Sequence, residues 1–334
     1  MYKKLYAALK DLISSSPKNF VVLCLLLLIE TVILVFSVVA ILPLADFILD
    51  SELKNPSRFT VKILEIFEFF NIDVSFLLLS SIFILAICLK GLFLVLINYY
   101  VLKLKYSIVK NLADTTMNSI LSARWEFFGN TNQGLLTNTF TKEIQKIGNA
   151  IGSLARSFSQ VLQFLIYLLI PFILSPKLAA IIFVIIIVTV IPIVKILNPI
   201  SYKFGKENTQ TANKMMSVFS EVLQAAKIII SYGKKDKFRK NYLSSFDNHM
   251  TATIKNQMLG FSLNSFFQPF GILIVLIVIG ISLSGGIELS ELAAIFYSLI
   301  SSITLLNNLM GVNLVINNFL PSYEQLNDIK NVLQ

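Results

Sequence analysis

Residues 122–152 have the sequence SARWEFFGNTNQGLLTNTFTKEIQKIGNAIG, a polar and basic stretch between two pairs of membrane-length apolar segments. This arrangement predicts a membrane protein whose helices continue into the cytoplasm as a long hairpin. Apolar residues recur at helical spacing along both arms. They are Leu104, Ile108, Leu112 and Ile120 going out, and Leu136, Phe140, Ile144, Ile147, Ile151 and Leu154 coming back. An arm of about 20 residues projects roughly 30 Å, so only its tip can touch a distant partner.

The composition excludes an ordinary soluble domain. Hydrophobic residues make up 55% of the chain and charged residues 14%, and the mean hydropathy is +0.75. In water, such a chain would expose large apolar surfaces. Windows of about 20 apolar residues, the length that crosses a bilayer, predict six spans. They lie near residues 20–48, 75–102, 158–175, 177–198, 257–283 and 288–318.

The break between the third and fourth spans is short. Only Ser175, Pro176 and Lys177 separate the two apolar runs, which together are too long for one span. Because proline cannot continue a preceding helix, these residues predict a tight turn.

The formal charge of +9 is distributed as in a membrane protein, so it indicates orientation rather than nucleic-acid binding. Lysine and arginine concentrate before span one, between spans two and three, and between spans four and five, whereas the 284–291 loop carries only Glu288 and Glu291. By the positive-inside rule, the basic segments and both termini are expected in the cytoplasm. The N-terminus lacks a small-residue cleavage site, so the first helix is expected to stay uncleaved.

Cysteine and histidine usage favours no metal site, disulfide or catalytic centre. Cys24 and Cys88 lie inside apolar runs, where cysteine usually behaves as a small hydrophobe. His249 is the single histidine, and no other ligand-type residue stands at metal-binding spacing from it.

Two further segments complete the predicted layout. An external amphipathic helix is expected within 50–73, starting near Asn55-Pro56-Ser57, with Phe59, Ile63, Ile66, Phe67 and Phe70 on one face. It lies on the outer membrane surface or over a cavity mouth, or it packs on its own bundle. A second cytoplasmic hairpin is predicted over about 199–256. Its arms carry Met215, Phe219, Val222, Leu223, Ala226 and Ile230, then Phe238, Tyr242, Phe246, Met250 and Ile254.

Both predicted tips are rich in aromatic residues beside turn residues. Trp125, Phe127 and Phe128 lie in one, and Tyr232 and Phe238 in the other. Exposed aromatics favour docking onto another protein because they bury a large area at low entropy cost.

Six spans with long hairpins after the second and fourth resemble the transmembrane domain of ATP-binding-cassette exporters. In this comparison Trp125-Glu126-Phe127-Phe128, Gln133-Gly134-Leu135-Leu136 and Thr141-Lys142-Glu143-Ile144 look like the family's first coupling segment. Leu135 replaces a usual acid there, and Glu143 replaces a usual aspartate. The region from Glu221-Val222-Leu223 to Lys227-Ile228-Ile229-Ile230-Ser231-Tyr232-Gly233-Lys234 resembles the second coupling region. The resemblance covers essentially the whole chain.

The resemblance implies an all-α fold of six transmembrane helices with two long cytoplasmic helical hairpins. It implies an exporter transmembrane domain at 1–320 and a cytoplasmic linker at 321–334 toward a nucleotide-binding domain. Contact with that ATPase is expected at Trp125, Glu126, Phe127, Phe128, Tyr232, Gly233 and Lys234. The sequence has no G-x-x-x-x-G-K-[ST] motif, so ATP and Mg are expected on a partner domain and no cofactor on this chain. A second transmembrane half, identical or different, and membrane lipid are the other expected partners, in a bacterial inner membrane.

A finer resemblance concerns the cargo. Ile29-Glu30-Thr31, Leu42-Pro43-Leu44 and Lys195-Ile196-Leu197-Asn198-Pro199-Ile200 look most like bacterial flippases of lipid-linked oligosaccharides. Glu30 and Lys90 are ionisable residues deep in spans, where they are expected to face the bundle interior, a partner or a water-filled cavity. They either contact each other or line a cargo cavity, with Lys90 as a headgroup ligand. Spans five and six offer the neutral Asn264 and Asn308 to that cavity.

Other functions remain open. A peptide or lipid exporter half would share this architecture, and a carrier without ATP coupling or an assembly scaffold is the main alternative outside the family. A secondary carrier would be expected to show internal repeats or paired intramembrane charges, whereas this sequence shows no clear repeat.

Overall fold

The computed structural model describes residues 17–49, 58–70, 73–285 and 289–333. Within these residues the chain forms eleven α-helices and one π-helical turn, and no strand. They are α1 (Pro17–Val39), α2 (Ile41–Leu49), α3 (Arg58–Phe69), α4 (Phe76–Leu121), α5 (Trp125–Asn130), α6 (Gln133–Asn138), the π-helical turn (Thr139–Glu143), α7 (Ile144–Leu174), α8 (Pro176–Gln224), α9 (Ala226–Ser231), α10 (Lys235–Gly285) and α11 (Leu289–Leu333). Residues 1–16 and the predicted turn at 55–57 lie outside the described residues.

The described residues include six helical segments long and apolar enough to cross a membrane, in the order that the sequence predicts. The six-span, all-α prediction is therefore confirmed, and the chain is a multi-pass membrane protein. Several of these helices far exceed a bilayer. α8 has 49 residues, or about 74 Å at 1.5 Å per residue, against about 30 Å of hydrocarbon. The excess forms the two predicted hairpins, named here hairpin one (103–157) and hairpin two (199–256).

Two breaks interrupt the helices of the apolar segments. α7 ends at Leu174 and α8 begins at Pro176, with Ser175 in an extended conformation between them. This confirms the predicted tight turn. The first span, predicted as one helix over 20–48, is instead divided by a turn at Ala40 into α1 and α2.

Hairpin one contains the main hydrophobic core. Leu104 and Ile108 of α4 pack with Ile144 and Ile147 of α7, and each is at most 5% exposed. Leu326, near the end of α11, completes the same cluster. The predicted apolar stripe of hairpin one is thus buried within this chain, and α11 is held between its arms.

In hairpin two the predicted apolar stripe of α10 faces outward. Phe246, Met250 and Ile254 of α10 are 42%, 45% and 52% exposed. The face of α10 that turns inward carries the small residues Ser245 and Ala252, which are buried. α8 and α10 pack against each other, so their large apolar side chains are left on the outer face.

Candidate functional site

The tip of hairpin one is the short helix α5. Trp125 is 86% exposed and Phe128 41% exposed, with their ring centroids 6.2 Å apart. Phe127 is buried and stacks edge-on against Phe128 at 5.5 Å. Glu126 lies in the first turn, where a carboxylate is favourable beside the positive end of the helix dipole. The tip therefore has one anchoring aromatic and two that are free to contact another molecule.

The tip of hairpin two is α9 with the turn that follows it. Tyr232 is 76% exposed, and Ile228 and Ile230 are 62% and 59% exposed, while Ile229 is buried. The residues predicted to contact the ATPase include Tyr232 but neither isoleucine, although both stand in the stretch that resembles the second coupling region. The run of three isoleucines directly before the turn was the available sequence signal.

Gly233 has a different role from the other predicted tip residues. Its φ of +64° is the left-handed conformation that favours glycine. The backbone N–H of Gly233 donates to the carbonyl of Ile230 at 3.2 Å, and that of Lys234 donates to Ile229 at 3.1 Å. These bonds close the C-terminal end of α9, so Gly233 shapes the tip.

The two hairpins are joined just behind their tips. The side-chain amide of Asn132 donates to the hydroxyl of Ser217, and Gln224 donates to Gln133 at 2.5 Å. Between these bonds the backbones touch, since a Cβ placed on Gly134 would lie 2.3 Å from the Ser217 Cα. The tips are consequently held in one spatial relation to each other.

A buried carboxylate reinforces this junction. Glu143, at 0% exposure, lies at the end of the π-helical turn. Its oxygens accept from Thr209 of α8 at 3.1 Å and from Ser322 of α11. Lys146 forms an ion pair with it at 3.0 Å. Glu143 therefore ties together hairpin one, hairpin two and the last helix.

A second set of polar contacts extends the Glu143 cluster. Asn138 donates to Glu143 at 3.1 Å and to Asn213 at 2.7 Å. Asn213 donates to Gln325, which donates to Thr139, both at 2.7 Å. The sequence singled out Glu143 only through its motif, because nothing in a linear pattern shows that three helices meet there.

Within the membrane part, Glu30 and Lys90 each form a hydrogen bond with a side chain of α7. Glu30 is 3% exposed and accepts from the hydroxyl of Ser159 at 2.8 Å, to which Gln163 donates at 3.0 Å. The Lys90 ammonium donates to the Tyr167 hydroxyl at 3.3 Å. The direct Glu30–Lys90 contact that the sequence left open is not among the ion pairs of the described residues.

The polar residues of α7 were missed by sequence reasoning. Ser159, Gln163 and Tyr167 recur every four residues and are buried on one face of the helix. That spacing, inside an apolar span, is the signal that could have found them. Of the other predicted cavity residues, Asn308 is exposed on α11, and the side chain of Asn264 lies outside the described part of the chain.

Comparisons with known proteins agree with this geometry. A model of the ABC transporter transmembrane region matches residues 20–310. The chain is also 24% identical over 233 residues to the heterocyst differentiation ATP-binding protein HepA of Nostoc sp. (strain PCC 7120 / SAG 25.82 / UTEX 2576). The match covers 67% of this chain but 37% of the relative, so the chain spans well under two thirds of that protein's length.

Proposed function

The chain belongs to the ABC transporter transmembrane family, and we propose that it forms the translocation path of an ATP-driven exporter and docks through both hairpin tips onto a nucleotide-binding ATPase domain. One observation carries the proposal. At the turns of two long hairpins, short helices expose large apolar side chains, above all Trp125, Ile228 and Tyr232. Such groups are typical anchors of protein interfaces.

The contacts behind the tips support coupling between the ATPase and the membrane helices. Because α6 touches α8 at Gly134 and Ser217, and Glu143 binds α8 and α11, displacement of either tip would be transmitted to the membrane helices. ATP and Mg would be held by the partner domain. In this proposal residues 1–320 are the transmembrane domain and 321–334 lead toward the ATPase, although α11 continues across that boundary with Leu326 buried.

The docking proposal is tested with the double variant Trp125→Ala/Tyr232→Ala. It should weaken binding of a purified ATP-binding-cassette ATPase domain by about 1 to 3 kcal/mol, as for truncated interface anchors. Binding is measured with the chain in nanodiscs. The matched control is Phe69→Ala, since Phe69 is an aromatic residue of α3 that is 82% exposed and lies in the segment predicted to be external. Unchanged affinity in the double variant would refute tip docking.

We further propose that the complete transporter contains a second transmembrane half and that both termini are cytoplasmic, in a bacterial inner membrane. The exposed face of hairpin two supports a second half, because Phe246, Met250 and Ile254 lie outside the apolar part of α10 and are about half exposed.

For the cargo we propose a lipid that carries a glycan. Lys90 supports it as a cation inside the membrane part, where its ammonium is positioned by Tyr167 and keeps further N–H donors for an anionic linkage group. In vesicles supplied with the ATPase, Lys90→Gln should slow flipping of a pyrophosphate-linked glycan much more than Lys90→Arg. Equal rates for the two variants, at matched incorporation, would remove Lys90 from the cargo path.

A further inference from the structure

The tip of hairpin two carries a cluster of basic residues on its surface. This basic cluster begins on α9 and continues through the turn into the start of α10. Its members, all exposed, are Lys227, Lys234, Lys235, Lys237, Arg239 and Lys240. The only acid within residues 225–243 is Asp236, which pairs with Arg239 at 3.5 Å. None of the five lysines takes part in an ion pair of the described residues, so this tip is strongly positive.

The tip of hairpin one has no comparable charge. α5 and the residue before it contain one base and one acid, Arg124 and Glu126. Glu126 stands in the first turn of its helix, where the helix dipole favours a carboxylate. α10 instead begins among lysines, with Asp236 as the acid of its first turn, and cations at that end of a helix oppose the dipole. The positive charge of the basic cluster therefore does not serve the stability of α10.

The membrane surface does not account for the basic cluster either. α10 runs without a break from Lys235 to Gly285, and Lys237 lies 20 residues before the fifth predicted span at 257–283. That is about 30 Å along the helix, whereas the field of anionic lipid decays within about 8 Å at physiological salt. Basic residues that orient a span also lie within about 15 to 20 residues of it. The cluster is thus placed to meet another molecule in the aqueous phase.

Apolar side chains beside the basic cluster indicate that this molecule is a protein. Ile228, Ile230 and Tyr232 are exposed within the same segment. Nucleic acids are bound through their phosphates and by stacking of bases on aromatic rings, which leaves the two isoleucines without a partner. A protein interface typically has an apolar centre and a polar rim. A groove with an apolar floor and carboxylates at its edge therefore matches both parts of this surface.

We propose that the ATPase groove that receives the tip of hairpin two is acidic, whereas the groove for the tip of hairpin one is not. The inference rests on the proposed function and specifies the chemistry of that partner. Opposite charges attract at a distance and accelerate encounter, while short-range contacts mainly determine how slowly a complex separates. The basic cluster steers the ATPase domain toward hairpin two, and Trp125 of hairpin one acts after contact.

The test measures association and dissociation rates of the ATPase domain used for the docking test, with the full chain in nanodiscs of zwitterionic lipid. Lys234→Gln/Lys235→Gln/Lys237→Gln, the tip variant, should associate about tenfold more slowly than wild type at low salt, within the range of electrostatic steering. The difference should disappear at about 1 M salt, where the Debye length is about 3 Å. The dissociation rate should hardly change.

Three controls separate local charge from other effects. Lys203→Gln/Lys206→Gln/Lys214→Gln removes three exposed lysines from α8 of the same hairpin and should keep the wild-type rates. Arginine at the three positions of the tip variant preserves the charge and should also keep them. Replacement of the groove carboxylates of the ATPase domain by amides should slow association with wild type but cause little further loss with the tip variant, as expected for groups that interact.

The inference is overturned if the tip variant associates as fast as wild type at low salt. It is also overturned if the α8 variant is slowed equally, or if a DNA duplex binds the wild type more tightly than the ATPase domain does. Failure of tip docking itself is a different result, seen as unchanged affinity of Trp125→Ala/Tyr232→Ala at high salt. Lost affinity in that variant together with normal association of the tip variant would keep docking and reject the acidic groove.

Discussion

Hairpin one and hairpin two have the same design in sequence but different surroundings in the fold. In hairpin one the apolar stripe is buried, with Ile144 and Ile147 each 1% exposed. In hairpin two the corresponding positions of α10 are largely exposed, with Ile254 at 52%. The stripes differ in exposure because α11 packs against hairpin one and adds Leu326 to its core. Hairpin one is thus completed within the chain, whereas the outer face of hairpin two is suited to a second chain.

The two hairpins also differ in how they use charge. The Glu143–Lys146 pair has a fully buried carboxylate with several further donors. The Glu207–Lys255 pair of hairpin two, at 3.3 Å, has side chains that are 39% and 49% exposed. Buried networks are destabilised strongly by loss of one member, whereas exposed pairs contribute about 0 to 1 kcal/mol. Three variants test these differences between the hairpins and the junction that joins them.

The largest effect is expected for Glu143→Ala. It removes the acceptor for Thr209, Ser322 and Asn138, so the loss should be about 3 kcal/mol at roughly 1 kcal/mol per hydrogen bond. Thermal unfolding of the purified chain measures it. Glu207→Ala is the control and should change stability by less than about 1 kcal/mol. Equal destabilisation by the two variants would show that Glu143 is no more important than a surface charge.

Gly134→Ala should give the next largest effect. The new methyl group would overlap the Ser217 backbone, and relief of such overpacking costs about 1 to 3 kcal/mol. The variant should also separate the tips, measured as a longer distance between spin labels at Glu126 and Asp236. Gly129→Ala is the matched control, since its Cβ would meet nothing within 4 Å. An unchanged label distance in Gly134→Ala would contradict a rigid junction.

A smaller effect is expected from Phe246→Ser/Met250→Ser/Ile254→Ser, which makes the outer face of hairpin two polar. It should weaken association with a second copy of the chain about tenfold, or about 1.4 kcal/mol, in analytical ultracentrifugation. Stability of the single chain should hardly change because these side chains are already exposed. Asn248→Ser, on the same helix and also exposed, is the control. A wild-type chain that sediments only as a monomer would contradict self-association through this face.

The sequence predicted the elements better than their contacts. The six spans, the Ser175 turn and the buried stripe of hairpin one all follow from local patterns, since apolar length and helical spacing are properties of a single segment. The exposed tip residues Trp125 and Tyr232 were predicted for the same reason, whereas Phe127, predicted with them, is buried. That the stripe of hairpin two at Phe246, Met250 and Ile254 faces outward could not be predicted, because the face of α10 that turns inward depends on its packing against α8.

The polar contacts could not be predicted from the sequence, because they join residues that are far apart along the chain. Lys90 was recognised as a cation in an apolar run, but its partner Tyr167 is 77 residues away. Thr209 and Ser322 lie 66 and 179 residues from Glu143 along the chain, and only the fold brings them to its carboxylate. Separation along the chain, rather than a lack of local signal, is the physical reason that these contacts could not be predicted.

The π-helical turn at Thr139–Glu143 has a consequence for changes in chain length. In an α-helix, residues five apart point about 140° away from each other, whereas the wider turn, with its i→i+5 geometry, brings Asn138 and Glu143 into contact at 3.1 Å. A π-turn accommodates one extra residue while the helices on either side keep their phase. Deletion of Lys142 should therefore leave Ile144 and Ile147 facing the core and place Glu143 four residues after Asn138, a spacing at which side chains meet in a regular α-helix. At this point the chain should tolerate the loss of one residue, which elsewhere in a helix would turn every following side chain by about 100°.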